Sequence, residues 1–217
     1  TIFGRLAGAA LADGGIDNVL IGNNSGNDVT TGDYNVALGS GALEKETVGR
    51  GSIAIGASAL GSQTAGSEAM VGNIGIGLNA GYHNDTGKDN VWIGTNAGFG
   101  ADGNSNDDNV GIGSDALKVV TTGDGNIAIG SHSGDAVTSG GYSVMIGYDA
   151  GSATTGTSYH VLIGREAGGT GDITNHGAVA IGYRALKSLT TGQYNTAIGY
   201  EALETMTELD SNVAIGY

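Results

Sequence analysis

The chain reads as an all-β protein, a parallel β-solenoid of about twelve 17-residue coils. Three observations carry this. An apolar-Gly step recurs thirteen times, at Gly4, Gly22, Gly39, Gly56, Gly77, Gly94, Gly113, Gly130, Gly147, Gly164, Gly182, Gly199 and Gly216, and eight of the twelve spacings are 17. The residues before each glycine alternate with period 2, as a strand requires. Glycine supplies 43 of 217 residues and proline none, which argues against both collagen and a long helix.

With the recurring glycine set at position 5, each element of the coil follows. Position 4 holds Ile21, Leu38, Ile55, Ile76, Ile93, Ile112, Ile129, Ile146, Ile163, Ile181, Ile198 and Ile215. These stack as an aliphatic column, expected inside the coil. Position 1 is asparagine at Asn18, Asn35, Asn73, Asn90, Asn109, Asn126, Asn195 and Asn212, expected to form a side-chain amide ladder from coil to coil. His160 and Ala178 replace it in two copies, weakening the ladder there. Position 8 is Ala or Ser, and position 9 is only Gly or Leu, as at Gly26, Leu43, Gly168 and Leu186. That step is expected to lie in a second, shorter strand. Thr-Thr-Gly turns, as at Thr122-Gly123 and Thr191-Gly192, lead into the next coil. Stacked at the usual strand spacing, twelve steps span roughly 60 Å.

Position 3 varies in size: Leu20, Ala37, Gly75, Trp92, Met145 and Leu162 are equivalent. A close-packed interior does not exchange Gly for Trp at one site. Leu20, Trp92, Met145 and Leu162 are therefore expected at a subunit interface, and the chain is expected to be a homo-oligomer. Tyr34, Tyr142, Tyr159 and Tyr194 extend the apolar face before the strand, and Tyr148, Tyr183 and Tyr200 extend it after. The insertions, within 62–71 and 101–108, should bulge from the coil edge.

Net charge is −14, which repels phosphate backbones, so no nucleic-acid partner is expected. No apolar run approaches the ~20 residues of a membrane span. With no cysteine there is neither a disulfide framework nor a thiolate metal site. The chain opens on Thr1, and Tyr217 falls inside a repeat, so one repeat domain, 1–217, is expected as part of a longer fibre chain.

Few residues are patterned for chemistry. The four histidines occupy different coil positions without metal-ligand spacing. Asp102, Asp107, Asp108 and Asn109 form one acidic turn that offers hard oxygens to calcium. Glu44, Glu46, Glu166, Glu201, Glu204 and Glu208 fall on turns without a converging partner, so no carboxylate pair for glycan cleavage is assigned. Trp92 and Tyr82 are candidates for stacking on sugars. No cofactor and no enzymatic activity are expected.

The repeat N-x-A-I-G-x-x-A-L at Asn195–Leu203, with S-N-V-A-I-G at Ser211–Gly216 and TTGQYNTAIGYEAL at Thr190–Leu203, resembles the trimeric β-roll repeats of bacteriophage tail fibres, which are related to YadA-type trimeric autotransporter adhesin heads. The resemblance runs over the whole chain and departs from the pattern most at Thr1–Leu11. It implies a left-handed β-roll, intertwined or packed as a homotrimer. It also implies a rigid tail-fibre shaft on a virion, joined to other fibre or virion proteins. Contact with a host-surface receptor would be made by a region outside this segment. The alternatives are a surface adhesin head on a bacterial cell and a solenoid that binds or cleaves polysaccharide.

Overall fold

The computed structural model describes residues 1–12, 15–66, 70–156, 158–174, 176–208 and 210–217. Among these residues the fold is an all-β solenoid, with thirteen parallel strands and about twelve turns. Two compact units, Thr1–Asp108 and Asn109–Tyr217, are built on the same coil.

In the first unit the strands are β1 (Ile2–Phe3), β2 (Val19–Ile21), β3 (Val36–Leu38), β4 (Ile53–Ile55), β5 (Ile74–Ile76) and β6 (Val91–Ile93). Each pairs in parallel with the next and in strict register: Val19 lies beside Val36, Val36 beside Ile53, Ile53 beside Ile74 and Ile74 beside Val91. The second unit holds β7 (Val110–Ile112), β8 (Ile127–Ile129), β9 (Val144–Ile146), β10 (Val161–Ile163), β11 (Val179–Ile181), β12 (Thr196–Ile198) and β13 (Val213–Ile215). Its register repeats the pattern, with Val144 beside Val161 and Val161 beside Val179. The rows of like residues expected from the 17-residue period are present in both units.

The glycine at position 5 has φ between 132° and 143° in all thirteen copies, a backbone conformation that L side chains rarely adopt. A Cβ at Gly147 would also sit 2.5 Å from the carbonyl oxygen of Gly164 in the next coil. Conformation and stacking distance together leave room for nothing else, so this residue recurs without exception.

The second strand does not form. Positions 6 to 9 are turn among the described residues, and the turn runs on to position 10 or 11 in most coils, because positions 7 and 9 both take left-handed φ. Asn24 and Leu43 are examples, at 56° and 52°. A strand needs extended φ at every residue. The turn still stacks through its main chain: Gly26 N–H donates to Ala42 O at 2.9 Å and Leu43 N–H to Ala59 O at 3.0 Å.

The interior is the reverse of the expected one. Position 3 points inward: Leu20, Trp92, Met145 and Leu162 are all fully or almost fully buried within the single chain, so they are core and not subunit interface. Positions 2 and 4 point outward, and no member of the Ile21-to-Ile215 column is buried. The alanines of position 8, such as Ala59, Ala97 and Ala150, are buried beside position 3.

What reconciles Trp and Gly at one inward site is position 9. Where position 3 is large (Leu20, Trp92, Met145, Leu162), position 9 of the same coil is glycine (Gly26, Gly98, Gly151, Gly168). Where position 3 is small (Ala37, Ala54, Gly111, Ala180, Ala197), position 9 is leucine (Leu43, Leu60, Leu117, Leu186, Leu203). A Cβ at Gly168 would lie 3.0 Å from both terminal methyls of Leu162. Two coils are small at both sites, and neighbours fill them. A Cβ at Gly81 would meet Trp92 at 2.5 Å and Leu60 at 2.7 Å; one at Gly134 would meet Met145 at 2.7 Å and Leu117 at 3.2 Å. Leucine at φ near 50° is strained by about 1–2 kcal/mol. Filling the void beside a small neighbour offsets that cost, since an empty leucine-sized cavity costs about 2–5 kcal/mol.

The insertion within 62–71 lies partly outside the described residues, at 67–69. The other insertion exposes Ala101, Asp102 and Gly103, as expected of an edge bulge, but turns Asn104 and Asn106 into the interior.

Candidate functional site

The outward sheet face carries the repeat's apolar columns. It consists of two parallel columns of aliphatic residues, almost all of them valine or isoleucine. In the first unit Val19 and Ile21 lie beside Val36 and Leu38, then Ile53 and Ile55, Ile74 and Ile76, Val91 and Ile93. In the second unit Ile127 and Ile129, Val144 and Ile146, Val161 and Ile163 form the same kind of paired columns. All of these residues are half-buried or exposed, Ile127 and Ile129 at 37%. Each is covered by its neighbours along the column and open on the side away from the core. Valine and isoleucine favour this pleated surface, but a continuous apolar strip this size is unusual on a lone chain.

The second unit adds rims to the face. Before the strands, Tyr142, Tyr159 and Tyr194 are each more than half exposed; Tyr142 and Tyr159 stack with centroids 5.9 Å apart and planes 8° apart. After the strands runs a second ladder. The Arg165 guanidinium lies 5.6 Å from the Tyr148 ring and 6.0 Å from that of Tyr183. Tyr183 stacks on Tyr200 at 5.0 Å, and Tyr200 on Tyr217 at 5.4 Å. These separations fit offset stacking. In the first unit Tyr34 is the exposed tyrosine before the strands, and Asn23, Ser40, Ala57, Leu78 and Thr95 stand where the second ladder would run, so that side of its face is bordered by small, polar and aliphatic residues.

Behind the rim, Glu166 gathers three of the chain's eight cations. It contacts Arg165 at 3.1 Å, Arg184 at 2.9 Å and Lys187 at 2.7 Å, while Arg184 also reaches Glu204 at 3.6 Å. The hydrogen bond from Lys187 and then that from Arg184 hold the Glu166 carboxyl below its ordinary pKa, against desolvation. The expectation that Glu166 has no converging partner is therefore corrected: its partners are basic residues, two of them from the neighbouring coil.

Glu46 is corrected more sharply. It is fully buried. Its Oε1 accepts the amides of Thr47 (2.8 Å), Val48 (3.1 Å) and Gly49 (2.8 Å), and its Oε2 accepts Gln63 Nε2 (2.8 Å) and Ala65 N–H (3.2 Å). Gln63 passes the network on to Ser52 and Asn73. Other coils place Val29, Val120, Val137 or Leu189 at the corresponding inward site. The signal is present in the period: Glu46 stands seven residues after its coil's glycine, where those coils are apolar.

The asparagine row is bonded throughout, and buried except at half-buried Asn212. Asn18 Oδ1 accepts Asn35 N–H (2.9 Å), Asn73 Oδ1 accepts Asn90 N–H (2.9 Å), Asn109 Oδ1 accepts Asn126 N–H (2.8 Å) and Asn195 Oδ1 accepts Asn212 N–H (2.9 Å). The amide nitrogens mostly reach a turn carbonyl fourteen residues on: Asn18 to Gly32, Asn35 to Gly49, Asn109 to Gly123 and Asn126 to Gly140. Side chains thus tie main chain to main chain, with direct amide-to-amide bonds secondary, as at Asn126–Asn109 (3.1 Å). Asn126→Ala leaves Ser143 N–H without its acceptor and should lower stability by about 1–3 kcal/mol. Asn126→Ser should lose less, since Ser143 serves as acceptor to His160 N–H in the same row. Urea midpoints of the two variants check this.

The remaining candidates do not assemble. Trp92 is inside and stacks on no sugar. Tyr82 is stacked on Phe99 at 5.6 Å. Asp107 accepts Lys88 N–H, Asp102 pairs with His83 at 2.7 Å, and Asn109 belongs to the buried row, so the acidic turn does not converge on a cation. Among the described residues no group of three or more His, Cys, Asp or Glu is placed to hold a metal. Among them, too, no helix is long and apolar enough to cross a membrane. Comparison with known proteins returns no matching family model, no matching curated protein and no matching solved structure.

Proposed function

We propose that this chain is a structural, adhesive fibre segment: the rigid shaft of a bacteriophage tail fibre, built as a left-handed β-roll homotrimer that holds a receptor-binding tip away from the virion. The observation that carries the proposal is the outward face, paired columns of valine and isoleucine left half-exposed by the single chain. Burial contributes about 25 cal/mol per Å² of apolar surface, and a strip to which nearly every coil contributes two outward side chains, mostly valine and isoleucine, gains from covering itself with identical strips. An in-register parallel stack also gives three copies the same spacing, so their columns match coil for coil. Rigidity follows from coil-to-coil bonding at the strand, the turn and the buried asparagine row. The acidic surface limits lateral association between finished fibres. The role is mechanical and adhesive, with no reaction assigned.

Sedimentation tests the proposal. The chain should sediment at three times its 21.4 kDa mass. The double variant Ile146→Lys, Ile163→Lys places charge on the outward columns and should sediment as a monomer that retains its β circular dichroism. A stable 21.4 kDa species from the unaltered chain defeats the trimer.

A further inference from the structure

The buried row contains one member that titrates. His160 takes the place of asparagine and is almost fully buried. Its own N–H donates to Ser143 Oγ at 3.1 Å, and its Nδ1 accepts Ala178 N–H at 3.2 Å. The ring therefore does what Asn Oδ1 does elsewhere, accepting a main-chain amide from the next coil. The difference is chemical: an amide oxygen remains an acceptor at every ordinary pH, whereas a protonated Nδ1 is a donor facing a donor.

We propose that His160 is an acid-sensitive rung, and that its protonation opens the stack between the coils of β10 and β11 while the asparagine-linked coils stay closed. Burial, and secondarily the charge on His176, lower the His160 pKa from 6.5 to about 4. The other titratable groups of these coils are Tyr159 and Tyr194 along the outer edge, Asp172, which is bonded to Thr155, Tyr183, and the cluster in which Glu166 pairs with Arg165, Arg184 and Lys187 on the turns after the strands. His176 differs from His160. Its Nδ1 lies 3.1 Å from Ser158 N and 3.3 Å from Ser158 O, so it finds a partner whether it donates or accepts.

The sign follows from linkage. The opened coil, with a solvated imidazole, binds a proton at higher pH than the closed one. Closure is fully favoured above about 6.5 and loses ground as pH falls towards 4. At pH 5 the opening equilibrium should be roughly 30-fold larger than at pH 7.5.

Amide hydrogen exchange on the intact protein, corrected for intrinsic rates, tests this. Protection of the Ala178 and Val161 amides, which both bond across the gap between these two coils, should fall roughly 30-fold between pH 7.5 and pH 5, while the Asn126 and Asn212 amides hold steady. His160→Asn restores the common member of the row and should abolish the dependence. His160→Ser, which copies the residue that Ser143 supplies one coil earlier, is the second variant should the first misfold. His176→Asn should retain most of it. An unaltered chain without the pH dependence, a His160 variant that keeps it, or its loss in His176→Asn overturns the proposal. Because the readout is local, its failure is separate from failure of the trimer, which sedimentation reads.

Discussion

Trp92→Ala should destabilise the first unit by about 3–5 kcal/mol, the usual cost of emptying a buried tryptophan site. Trp92 is fully buried and fills more than its own coil, since it also occupies the space beside Gly81. Gly98→Leu alone should be comparably damaging, because a Cβ at Gly98 runs into the indole ring. The double variant Trp92→Ala, Gly98→Leu recreates the small-then-leucine pattern of Ala37 with Leu43 and Ala54 with Leu60. It should recover more than half of the loss seen in either single variant. Trp92→Phe should cost less than truncation, because Trp92 Nε1 is buried with no hydrogen-bond partner among the described residues and phenylalanine removes that polar group. Urea denaturation followed by circular dichroism gives all four values, and strict additivity of the Trp92 and Gly98 changes would show that the two sites do not share one volume.

Glu46→Val should also cost about 3–5 kcal/mol, although valine is the residue that equivalent coils carry at Val29, Val120 and Val137. Valine fits the space but accepts no hydrogen bond. The change strands the amides of Thr47, Val48, Gly49 and Ala65 together with the Gln63 side-chain amide. Each buried donor left unpaired costs about 1–3 kcal/mol, less what relaxation recovers. Glu46→Gln keeps an acceptor oxygen and should lose distinctly less. Urea midpoints rank the three proteins, and a neutral Glu46→Val would show that the amides find other acceptors.

These two sites mark where reading the residues in order succeeds and where it stops. The 17-residue period, the parallel register and the asparagine row are legible because each depends on identity at one position repeated along the chain. Gly147 and its twelve equivalents announce their backbone conformation by being glycine. The inside of the coil is misread because a period of 2 defines two faces without saying which is covered. Variation from Gly75 to Trp92 looks like a loose interface when each position is considered alone. The opposite size change at position 9, Leu60 and Gly98 being the relevant cases, is in the sequence and identifies a shared volume. The second strand fails for a related reason: Leu43 and Leu186 carry no sign that they will adopt left-handed φ.

By itself, then, the sequence determined the unit length, the strand at the start of each unit and the in-register stacking of like residues, because backbone periodicity and the needs of glycine are local properties. Only the tertiary structure decided that Leu20, Trp92, Met145 and Leu162 form the core, that the Ile21-to-Ile215 column faces outward, and that Glu46 lies buried beneath a ring of amides. Which face is inside depends on how the turns close the coil, and that closure is set by volumes and hydrogen bonds contributed by residues from different parts of the unit and from neighbouring coils.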